Sequence, residues 1–127
     1  MTQPLGSTEH ISLQVRDREG TASVVRLTVD ESHASGTLSI LTPAGGVSRQ
    51  LALTHLKKAQ DGTQLTCDVS GATATLSLER DKSPPELHVL ASMFLPVFEA
   101  VYQIDPADQE RLIAWINALR ICILTSS

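Results

Sequence analysis

The chain has 127 residues, 42% of them hydrophobic, and a formal charge of −4 from 10 Lys and Arg against 14 Asp and Glu. A chain of this length buries roughly 60 to 70% of its unfolded surface, enough for one core without a disulfide or metal staple, and an apolar content near the globular average excludes a disordered chain. Its two Phe, one Tyr and one Trp all fall in the last third, which with the acidic balance leaves neither the aromatic platform nor the positive groove that nucleic-acid binding wants.

Alternation of apolar and polar residues runs through the first two thirds and predicts successive short strands with one buried face. Ile11, Leu13 and Val15 come first, then a turn over residues 17–20, then Val25, Leu27 and Val29. A loop ends at Gly36, and Leu38 and Ile40 mark a third strand before the breaker Thr42-Pro43-Ala44-Gly45-Gly46. Leu51 and Leu53 mark a fourth, and Leu65, Cys67 and Val69 a fifth. Ser70-Gly71 closes a two-residue hairpin into Ala72, Ala74, Leu76 and Leu78. A loop with Pro84-Pro85 leads to a seventh apolar stretch over residues 87–90. The last strand follows, with Phe98, Ala100, Tyr102 and Ile104 on one face and Pro96 suited to its first position.

The period then changes. Asp105-Pro106-Ala107-Asp108 predicts a helix start in which the Asp105 carboxylate caps an orphan amide and Pro106 takes the first helical position. Leu112, Trp115, Ile116, Leu119 and Ile123 recur at helical spacing, which predicts an amphipathic helix over residues 105–123 with Trp115 as its plug. The expected fold is therefore α+β, mainly β: one domain over residues 1–127, with residues 1–8 flexible, strands within 9–104, and a small antiparallel barrel or curved sheet of six to eight strands closed by the helix.

Cys67 and Cys122 form no CxxC and have no His at ligand spacing, so both are expected as buried, reduced thiols. The start of the chain shows no basic-then-apolar leader, and the longest nearly apolar stretch, residues 89–98, is about half of the ~20 residues a membrane helix needs. These features point to a cytoplasmic protein with no membrane span. No nucleophile elbow, metalloprotease, Walker or dinucleotide motif is present, and no cofactor is implied. Of the four histidines, His33 beside Asp30 and Glu31 is the one arrangement suited to acid/base work or a metal. Local hydrogen bonding in a loop explains the same residues.

Two patches resemble a known family. Phe98-Glu99-Ala100-Val101-Tyr102-Gln103-Ile104-Asp105-Pro106-Ala107-Asp108-Gln109-Glu110-Arg111-Leu112 is similar to the last strand and opening helix of PilZ domains, and Asp30-Glu31-Ser32-His33-Ala34-Ser35-Gly36 resembles their (Asp/Asn)-x-Ser-x-x-Gly motif with one extra residue. The resemblance implies a small barrel with a C-terminal helix and a cyclic di-GMP site at Asp30, Ser32 and Gly36. The family's Arg-x-x-x-Arg has only Arg16 and Arg18 as substitutes here. A ligand with two phosphates and two guanines wants guanidinium forks, so weak or no nucleotide binding is expected. Trp115-Ile116-Asn117-Ala118-Leu119 is also similar to the C-terminal helix of pleckstrin-homology-like folds, which implies a protein-binding surface. Both resemblances lead to a non-enzymatic regulatory or adaptor domain with a protein partner or a second copy, for which Ile121, Ile123 and Leu124 are the candidate interface. A small enzyme using His33, Asp30 and Glu31 is the remaining alternative.

Overall fold

The computed structural model describes residues 8–93 and 96–124. Eight strands follow one another: β1 (Thr8–Arg16), β2 (Ala22–Asp30), β3 (Ser35–Leu41), β4 (Val47–Lys58), β5 (Gln64–Val69), β6 (Ala72–Glu79), β7 (Glu86–Ser92) and β8 (Pro96–Ile104). Each pairs antiparallel with the next, and β8 returns to β1, so the sheet closes into a barrel-like ring. Helix α1 (Pro106–Ala118) and a two-residue strand, β9 (Cys122–Ile123), follow. The mainly β fold with one C-terminal helix is as the alternation predicts. Thr8, expected in a flexible lead-in, opens β1, and residues 1–7 lie outside the described residues.

Period-two burial fills the ring. Leu13, Val25, Leu27, Val29, Leu65 and Leu87 are at most 2% exposed, and a void of about 20 Å³ lies among the core leucines. That is room for about one water. The ring's interior is a packed core rather than a ligand chamber. Ser70 and Gly71 both take positive φ, +49° and +85°, as the tight hairpin between β5 and β6 requires. β4 runs five residues beyond Leu53, because a bulge at His55 (φ +56°) slips the register and turns Leu56 back inward.

The ring closes on a narrow seam. β1 and β8 pair only at Val15 with Ile104 and Arg16 with Gln103, so the top of β1 meets the bottom of β8. Where β8 ends, α1 carries on along the unpaired edge of β1, and Arg111 Nη2 donates to the Ser12 carbonyl at 3.4 Å. Leu112, Ile116 and Leu119 enter the core and are 0%, 0% and 3% exposed. These aliphatics, and not Trp115, form the plug. Trp115 is half-buried on the flank, with its indole Nε1 buried and without an acceptor.

Both ends of the helix differ from expectation. Asp105 occupies the N-cap position, but its carboxylate makes no capping bond, and its main-chain carbonyl accepts the Gln109 N–H at 2.9 Å. The helix stops at Ala118 rather than 123. The reason lies far away in sequence: the nearly buried Lys58 ammonium donates to the carbonyls of Ile116 (3.3 Å), Asn117 (2.9 Å) and Leu119 (2.6 Å). One cation thus serves three carbonyls at the negative end of the helix dipole, where that of Ile116 also accepts the Leu119 N–H. The chain then lies parallel to β4 as β9, with the Leu124 N–H donating to the Lys58 carbonyl at 2.7 Å. Among the described residues, no helix is long and apolar enough to cross a membrane.

The early end of the helix also corrects the reading of Cys122. No helical stripe carries it inward, and it is exposed on β9, whereas Cys67 is buried as expected. Burial first, and the charge of Asp68 second, push the Cys67 thiol up to about 11. Since the thiolate is the reactive form, a disulfide-exchange reagent should label one thiol per native chain, at Cys122, and two in concentrated guanidinium. Peptide mapping of the label checks the assignment, and native labelling of Cys67 would contradict it.

Candidate functional site

Asp30 ends β2 and folds its carboxylate back over the turn. Asp30 Oδ1 accepts the Ser32 N–H at 3.1 Å and the Ser32 hydroxyl at 2.7 Å, and His33 Nδ1 lies 2.8 Å from Asp30 Oδ2. The Ser32 hydroxyl, followed by His33, holds the Asp30 carboxyl below its ordinary value. This is a self-bonded Asx turn. A Ser-His-Asp relay needs its Ser and Asp on opposite ring nitrogens, yet here Ser32 and Asp30 both meet Nδ1. Glu31 is engaged elsewhere, its Oε2 accepting the Arg120 N–H at 2.6 Å. Gly36 is tied to close strand approach: a Cβ there would run into the Thr28 carbonyl.

Arg16 and Arg18 sit at the other end of the β1–β2 hairpin. Thr8 pairs with Asp30 and Arg16 with Ala22, so the arginines and the Asp30 turn are roughly 27 Å apart at ~3.4 Å per residue. The structure joins Asp30, Ser32 and His33 and separates them from both arginines. Arg16 Nη1 donates to the Gly20 carbonyl at 3.2 Å and lines a cleft of about 330 Å³ with Gln14, Ser23, Gln103, Pro43 and Pro84. Arg18 is exposed in the turn. Among the described residues no group of three or more His, Cys, Asp or Glu is placed to hold a metal ion. Of the candidate interface residues, Ile121 and Leu124 are half-buried and Ile123 is 50% exposed.

A feature that motif reading missed lies on the far side of the seam. The Ile104 N–H donates to the carbonyl of Pro85, the residue that leads into β7, and main-chain groups alternate sides along an antiparallel strand. Ala100 and Tyr102 therefore point their main chain at β7, and Glu99 and Val101 point theirs away from it, toward the side where Gln103 meets Arg16. β1 has already turned away above Arg16, so among the described residues no second strand pairs with β8 at Glu99 and Val101 on the side away from β7. Beside this edge the inward residues Phe98 and Ala100 are only half-buried, the Arg49 guanidinium lies 4.5 Å from the Phe98 ring centroid, and Leu90 and Met93 on the β7 side are 37% and 60% exposed. The signal in the sequence was indirect: Leu90 falls outside the period of the buried face, and Met93 lies just past the register shift at Ala91 and Ser92.

Comparison of the chain with protein-family models, with curated proteins and with solved structures finds no match. The geometry defines the class of protein as a mainly β ring domain with a filled interior and, among the described residues, a stretch of unpaired edge on β8.

Proposed function

We propose that this chain is a non-enzymatic regulatory or adaptor module, PilZ-like in its element order, that binds a protein partner rather than cyclic di-GMP. The observation that carries this reading is the β8 edge left unpaired among the described residues, with half-buried Phe98 and exposed Leu90 and Met93 beside it. Such an edge offers hydrogen-bonding groups and apolar area to another polypeptide. The packed core and the distance between Asp30 and Arg16 support the same reading, since the Arg16 and Arg18 guanidiniums lie at the opposite end of the hairpin from the Asp30 carboxylate with which they would have to share a dinucleotide.

Calorimetric titration with cyclic di-GMP tests it. No saturable heat is expected, and micromolar binding lost in Asp30→Ala would overturn the proposal. Affinity capture from the native cell should return a stoichiometric protein partner. A chain recovered alone would also count against the module.

A further inference from the structure

We propose that the partner docks as an extended strand on the free edge of β8, with a carboxylate side chain directed at Arg49. The inference rests on the interaction-module reading above and names the chemistry of the partner. It begins with the inequality of the two edges at the seam. The edge of β1 is covered by α1, with Arg111 on the Ser12 carbonyl. The Glu99 and Val101 edge has no such cover among the described residues, and its N–H and C=O groups are the complement of another extended main chain.

Side-chain chemistry then narrows the occupant. A strand laid here would alternate one face outward and one inward. Its inward side chains would meet Phe98 and Ala100, which are half-buried where the rest of the inward-facing row, Tyr102 and Ile104, is 7% and 3% exposed. Small β-branched side chains fit that position. At the Phe98 end lies the exposed Arg49 guanidinium, which stacks on the ring and forms no ion pair among the described residues. A carboxylate there gains a charge-assisted hydrogen bond. A second copy of this chain pairing through β8 brings its own Arg49 and Glu99 to the edge on a two-fold axis, and supplies no inward carboxylate from β8. The partner is therefore a different chain.

The test uses the full chain and two synthetic peptides, acetyl-TVTVTET-amide and its Glu-to-Lys counterpart acetyl-TVTVTKT-amide, in an amide-shift NMR titration. The acidic peptide should bind saturably, move the Glu99 and Val101 amides most, and bind at least fivefold more tightly than the basic one. Val101→Pro removes an N–H that the fold does not use, so it should keep the melting temperature within a few degrees and weaken binding at least tenfold. Glu99→Pro serves the same purpose if Val101→Pro fails to fold. Undiminished binding by a folded proline variant, shifts centred away from β8, or a β8-dependent homodimer would overturn the strand-addition proposal. If captured partner protein persists undiminished on the proline variant, the module reading survives and only its edge is wrong. If no partner is captured and cyclic di-GMP binds, the module reading itself falls.

Discussion

Lys58→Met should lower the unfolding free energy by about 2 to 3 kcal/mol, because it keeps the aliphatic stem and removes the ammonium that donates to three converging carbonyls, one of which, that of Ile116, also accepts the Leu119 N–H. Each buried acceptor left without a partner costs about 1 kcal/mol or more, and loss of the cation at the negative helix end adds to this. At roughly 3 to 5 °C per kcal/mol for a domain of this size, the melting temperature should fall by about 10 °C. Urea denaturation of the variant beside the wild type measures it. A loss under about 1 kcal/mol would mean that water reaches those carbonyls and that Lys58 is not what ends the helix.

Ile116→Ala should be comparably damaging, by about 3 kcal/mol, since a wholly buried side chain is cut back inside a closed ring that cannot collapse around it. Trp115→Phe should change stability by no more than about 0.5 kcal/mol. It preserves most of the apolar area and removes an indole N–H that is buried without an acceptor. The pair discriminates between two descriptions of the same helix. If Trp115 were the plug, the order of the two effects would reverse.

That reversal shows where sequence reading is sharp and where it is blunt. Helical spacing groups Leu112, Trp115, Ile116 and Leu119 on one side, and that grouping is right. Phase resolves it further: at 100° per residue Trp115 lies about 60° from Leu112, outside the arc of Ile116 and Leu119. Size made the tryptophan conspicuous, but angle decides burial. Strand alternation was legible for a similar local reason, as was the Ser70-Gly71 turn, whose positive φ values belong to the residues themselves. Only Leu51 and Leu53 mark β4 in the sequence, because the bulge at His55 breaks the period that identifies a strand. The stop at Ala118 was invisible, because its cause is an ammonium 58 or more residues away.

The candidate site divides in the same way. The Asp30 turn could be read from the sequence because Asp, Ser and His within four residues bond to one another locally. Its distance from Arg16 could not, since it depends on hairpin register: β1 and β2 pair over nine residues with the two groups at opposite ends. The uncovered β8 edge is further still from any motif. It results from the stagger of a closed ring, in which β1 and β8 overlap by two residues and each leaves the other partly unpaired. The C-terminal segment covers what β8 leaves open: α1 lies along β1, and β9 lies beside the end of β4. The stretch of β8 at Glu99 and Val101 is left open among the described residues, and it is there that the proposed partner strand would pair.

Amide hydrogen exchange along β8 is the most direct measurement of that claim. Ala100, Tyr102 and Ile104, whose N–H groups point at β7, should exchange slowly with the core, while Glu99 and Val101, which alternate with them, exchange at nearly unprotected rates. An alternation of fast and slow amides along one strand is the signature of an edge open on one side. Equal protection of Glu99 and Val101 with their neighbours would contradict it and show that the seam is closed.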